Sequence, residues 1–113
     1  MIELIDPEKE FELTHPSGTV FVIRHWTLAM QGQVDTECIS FQGNVPKFLV
    51  DRERELKLDL SVKNWRGVVG SDGQEVPCTS EAKKRIPVGV ALWLLKEIDE
   101  RAGLRLPDEE KKN

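Results

Sequence analysis

The chain has 113 residues, of which 39% are hydrophobic and 32% charged, enough apolar material to close one core and too little length to expect a second. Acidic side chains number 20 against 16 basic ones, and a net charge of −4 argues against a broad phosphate-binding surface, so nucleic acid is not expected as a partner. The first ten residues hold four acidic side chains and no apolar signal, and the longest near-unbroken apolar run, Val88 to Leu95, is far short of a membrane span; neither export nor a membrane partner is expected.

In chain order, Phe11-Glu-Leu-Thr-His15 alternates apolar and polar residues, Pro16-Ser-Gly18 supplies turn chemistry, and Thr19-Val-Phe-Val-Ile-Arg24 is rich in β-branched and aromatic residues. Together they predict a β-hairpin. Thr27 then caps a helix running through Met30, Val34 and Cys38, with Gly32 as an interior cost. Gly43-Asn-Val-Pro46 is expected to be a connection, with Pro46 in the first turn of the next element. From Lys47 to Asn64 two periodicities compete, because Leu49, Glu53, Leu56 and Leu60 share a helical face while Leu56, Leu58, Leu60 and Val62 alternate as in a strand. The helix-favouring run Asp51-Arg-Glu-Arg-Glu55 places helix first, with a switch to strand before Trp65.

Beyond Trp65, Gly70-Ser-Asp-Gly73 predicts a tight turn in which Asp72 and Gly73 are structural, closing a second, small hairpin with Glu75-Val-Pro77. Thr79 or Ser80 caps a short helix that must break near Ile86, because Pro87 disfavours the α conformation before it. Val88, Leu92, Leu95, Ile98 and Ala102 then repeat at helical spacing toward Gly103, a suitable C-cap. The expected architecture is α+β: residues 1–104 form a single domain in which the N-terminal hairpin, the middle helices and the small hairpin pack on the C-terminal helix. Residues 105–113, with Pro107 and the run Asp108-Glu-Glu-Lys-Lys112, are read as a charged tail without order of its own.

Candidate chemistry is sparse. His15, His25, Cys38 and Cys78 have the right residue types for zinc, but no two lie at the close spacing of structural sites, and Cys78 with His25 lacks a recognisable nucleophile turn. Two cysteines are too few for a disulfide framework, which points to a reducing, cytoplasmic setting. Asp6, Glu8 and Glu10, and Asp51, Glu53 and Glu55, could be imagined as acid–base pairs; the second set is interleaved with Arg52 and Arg54, the pattern of a solvated face. No catalytic, metal or cofactor site is expected. Of the three tryptophans, Trp26 or Trp65 is expected to pin helix against hairpin, and Trp93 to serve core or interface. The C-terminal helix is apolar over more than one stripe, since Val90, Trp93 and Leu94 extend the surface beyond the set that docks it. Those three residues are the expected protein interface, for self-association or for a partner.

Trp65-Arg-Gly67, Asp72-Gly73, Val76-Pro77 and Ser80-Glu81, preceded by Phe21-Val-Ile-Arg24 and Thr27, carry a resemblance to small proteins of tailed bacteriophages and prophages, in particular the tail assembly chaperone type. The resemblance extends from about Phe11 to Ala102. Cys78 stands where the pattern more often has an aromatic, and Ile86-Pro87 interrupts a smoother helical end. The resemblance implies a non-enzymatic morphogenesis protein working in the host cytoplasm, with a tape measure or tube protein as partner. The alternative it implies is a structural virion component, such as a head–tail connector or baseplate accessory; a small enzyme or metal protein is a more distant one.

Overall fold

The computed structural model describes residues 1–6 and 8–101, so Ala102, Gly103 and the charged tail lie outside the described residues. The fold is α+β. The first hairpin pairs β1 (Glu10–Thr14) with β2 (Val20–Arg24) in antiparallel register, Leu13 opposite Phe21 and Phe11 opposite Ile23. Its turn is tied by His15 N–H donating to Thr19 O and Gly18 N–H to His15 O, both at 2.8 Å. β2 also pairs with β5 (Val62–Arg66), giving a three-stranded sheet in the order β1-β2-β5. Regular alternation would put Val62 and Trp65 on opposite faces. A bulge that leaves Lys63 unopposed returns both to the inner face, with Phe21 and Ile23 as their cross-strand partners. The outer face is polar and carries ion pairs from Glu10 to Lys63 at 3.1 Å and from Glu12 to Arg66 at 2.9 Å.

Helices cover the inner face. In α1 (Leu28–Glu37), the Thr27 hydroxyl accepts from Met30 N–H, and Val34 is the buried residue that anchors it. α2 (Val50–Ser61) packs on β2, β5 and α1, and its chain passes directly into β5 at Val62, resolving the competing periodicities in favour of helix first and strand second. The short α3 (Ser80–Lys83) is capped by the Thr79 hydroxyl, which accepts from Ala82 N–H at 3.1 Å. It is clasped to α2, where Ser80 Oγ donates to Asp59 Oδ1 at 2.8 Å and Lys83 Nζ to Asp59 O at 3.0 Å. After Pro87, α4 (Val88–Arg101) lies against α2.

The fold corrects two expectations. The segment read as a connection, Gly43-Asn-Val-Pro46, belongs to a separate two-stranded sheet, β3 (Ile39–Gln42) with β4 (Val45–Phe48), and Pro46 sits in β4 opposite Phe41 instead of opening a helix. A two-residue loop, Gly43-Asn44, with Gly43 at φ +64°, closes it in the manner of a type II′ turn. The other correction is the rotation of α4. Leu94 and Ile98 are fully buried, whereas Val88 and Leu92, which the spacing assigns to docking the helix, face outward with Leu92 48% exposed. Leu94 therefore belongs to the core and has no surface to offer a partner. The helix carries two apolar stripes, and the one through Leu94 and Ile98 joins the core beside α2.

Candidate interaction surface

The β3–β4 ladder is the part of the described fold that leaves the core. Every one of its eight strand residues is exposed. Directly opposed residues share a face, so the pairs Ile39–Phe48 and Phe41–Pro46 put four apolar side chains on one side, while Ser40–Lys47 and Gln42–Val45 occupy the other. This is the sorting of a half-buried sheet, yet Phe41 is 67% exposed, Phe48 47% and Ile39 42%. A lone two-stranded ladder is at best marginal in water, and it normally gains stability by covering such a face. The hairpin is joined to the body by Leu49 N–H donating to Cys38 O at 2.7 Å, directly beside the buried Cys38 that closes α1.

A second feature is a cleft of about 360 Å³ between the β1–β2 turn, the loop after β5 and the segment leading from α3 into α4. Phe21 and Trp65 line it, and an aromatic chain runs through them. His15 meets Trp93 edge-on at 4.8 Å, Trp93 lies 6.5 Å from Phe21, and Phe21 meets Trp65 edge-on at 6.4 Å. Trp65 is locked by its indole N–H donating to Val76 O at 2.7 Å, which also holds down the loop containing Asp72 and Gly73. In that loop Gly73 has φ +78° and its N–H donates to Gly70 O at 3.0 Å, the Asp72 carboxylate accepts from Gln74 N–H at 3.0 Å, and Val69 bridges Glu75. Trp26 is pinned separately, its indole N–H donating to Gln31 Oε1 at 2.9 Å with Lys57 Nζ over its ring.

Of the expected interface residues, Val90 lines this cleft, Trp93 is half-buried against the β1–β2 turn, and Leu94 is in the core. The set therefore does not form one outward patch. The residues considered for chemistry are likewise dispersed: His25 stacks against Phe11 at 5.0 Å, His15 packs on Trp93, Cys38 is buried behind α1, and Cys78 lies near Lys83 and Asp59. Among the described residues no group of three or more His, Cys, Asp or Glu could hold a metal ion. Burial pushes the Cys78 thiol above its ordinary range despite the opposing charge of Lys83, which is the reverse of what an activated nucleophile requires. Asp51 and Glu55 are exposed, as are Asp6, Glu8 and Glu10.

Reasoning from the sequence missed the hairpin, although its signal is present: Ile39-Ser-Phe-Gln42 alternates, Gly43-Asn44 is a favoured hairpin pair, and Val45-Pro-Lys-Phe48 completes it. Comparison with family models, curated proteins and solved structures gives no match for this chain. Among the described residues no helix is long and apolar enough to cross a membrane.

Proposed function

We propose that this chain is a non-enzymatic assembly protein that acts by protein–protein contact, with the apolar face of the β3–β4 hairpin as its contact surface. The observation that carries the reading is the placement of Ile39, Phe41, Pro46 and Phe48 on one face of a ladder that no part of the described fold covers. Contiguous exposed apolar surface of this kind is a feature of binding sites, and here it is concentrated on a projecting element. The hairpin's two outer edges differ as well. β4 carries Pro46 and Lys47, residues that deter strand addition, whereas Ile39-Ser-Phe-Gln42 has no such guard and can accept an added strand or the apolar face of an amphipathic segment.

The resemblance to tail assembly chaperones gives this surface a specific occupant, a tape measure or tube protein kept soluble before the tail is built. A small acidic protein with a local apolar platform suits that task, because the platform shields the partner's apolar stripe and the net charge of −4 keeps the complex in solution. The test is to establish the gene neighbourhood and to co-express the chain with any tape measure or tube protein found there. The wild type is expected to hold one of them in the soluble fraction as a complex, and Phe41→Ser with Phe48→Ser to lose that complex while folding normally. A gene neighbourhood without any virion morphogenesis gene, or a complex indifferent to both substitutions, would overturn the reading.

A further inference from the structure

The aromatic-floored cleft combines features that the hairpin does not share, and they concern charge. The chain as a whole is acidic, yet no aspartate or glutamate among the described residues lines the cleft. The charged side chain at its rim is Arg85, on the segment between α3 and α4, and none of the ion pairs among the described residues engages it. The Asp72 carboxylate accepts from Gln74 N–H at 3.0 Å and lies beside Gly70. On the opposite wall the His15 ring is tied to Ser17, with Nδ1 3.1 Å from the Ser17 amide nitrogen and 2.8 Å from its hydroxyl. Between these polar rims the surface is apolar, built from Phe21, Trp65, Val68, Val76, Ile86 and Val90. The volume of about 360 Å³ lies within the range of ligand-binding clefts and accommodates an aromatic or branched aliphatic group.

The rim favours a polypeptide over a compact small molecule, because the apolar lining continues over Val69 and Pro87, both exposed. We infer that the cleft docks a segment of a partner protein that presents an apolar side chain into the floor and an adjacent carboxylate to Arg85. This site is separate from the β3–β4 hairpin and does not depend on it. A carboxylate held by a guanidinium forms a charge-assisted pair, and the paired apolar anchor supplies the register.

The test is an NMR titration of the intact ¹⁵N-labelled chain with three probes: acetyl-Gly-Phe-Asp-Gly-amide, its neutral counterpart with Asn in place of Asp, and phenylacetate. The acidic peptide is expected to shift the Trp65 indole N–H and the amides from Gly67 to Gly70, and to bind about tenfold more tightly than the neutral one. Arg85→Gln, at an exposed position, should abolish that preference. Phe41→Ser on the hairpin should alter neither, which separates failure of this site from failure of the hairpin. Absence of shifts at these resonances, equal affinity for the two peptides, or an acid preference that survives Arg85→Gln would overturn the inference. Binding of phenylacetate with neither peptide binding would overturn the assignment to a protein segment.

Discussion

The rotation of α4 about its axis is decided by a pair of substitutions two residues apart. Leu94 has no exposed surface, and truncating it to alanine removes the branched end of the side chain from the buried core cluster. For a fully enclosed leucine the lost transfer free energy and the cavity left behind together cost about 3 kcal/mol. Leu92 is 48% exposed, so the atoms removed by Leu92→Ala are already partly in water and the loss is at most about 1 kcal/mol. With roughly 4–8 °C of melting temperature per kcal/mol in a domain of this size, Leu94→Ala should lower the midpoint by roughly 12–24 °C and Leu92→Ala by less than roughly 8 °C. Calorimetry or far-UV circular dichroism melts of both variants measure the contrast. A larger loss for Leu92→Ala would show that the other stripe of α4 faces the core, and the placement of Leu94 and Ile98 would be wrong.

Gly73→Val should destabilise by about 1–3 kcal/mol, because valine is strained at φ +78°, and it should leave complex formation by the folded fraction intact; denaturant unfolding checks the first and co-purification the second. The two thiols should differ in reactivity. Cys78, partly exposed with its thiol pushed up mainly by burial, should be alkylated by iodoacetamide at a rate that continues to rise beyond pH 9, whereas Cys38, also pushed up mainly by burial and then by Glu53, should stay protected until the chain unfolds. Both shifts favour the neutral thiol in the folded state. Their contribution is therefore fully present below the ordinary thiol value of 9.0 and declines as pH rises through the higher folded values, which alkaline unfolding curves of Cys38→Ala and the wild type would reveal. Unchanged curves would remove burial of the neutral thiol as a source of stability.

Much of the architecture is legible in local patterns. The first hairpin follows from alternation around Pro16-Ser-Gly18, α1 from Thr27, α3 from Thr79, and the passage from α2 into β5 from the shift in spacing between Leu56 and Trp65. Each is encoded within a few residues of where it occurs. What could not be read locally depends on contacts far along the chain. Val88 and Leu92 are as apolar as Leu94 and Ile98, and what separates the two stripes is packing against α2, far back along the chain. The bulge at Lys63 is likewise a consequence of matching Val62 and Trp65 to β2. The β3–β4 hairpin escapes a local reading for a different reason. Cys38 and Phe41 also fit the continuing apolar pattern of α1, and Pro46 resembles a helix start more than a strand residue, although proline is tolerated in an edge strand like β4. The cleft joins Val90 and Arg85 to residues of the first hairpin and of the loop after β5, a convergence that no spacing announces.

Hydrogen exchange on the hairpin tests the central claim most directly. A two-stranded ladder with its apolar face in water should open easily, so in the free chain the amides of residues 39–48 should exchange much faster than those of β2, which is paired on both sides and buried at Phe21 and Ile23. If a tape measure or tube protein is the partner, as proposed, new protection on its addition should concentrate on residues 39–48. Protection of that segment equal to β2 in the free chain, or no change there when the partner is bound, would contradict the assignment of Ile39, Phe41, Pro46 and Phe48 as the contact face.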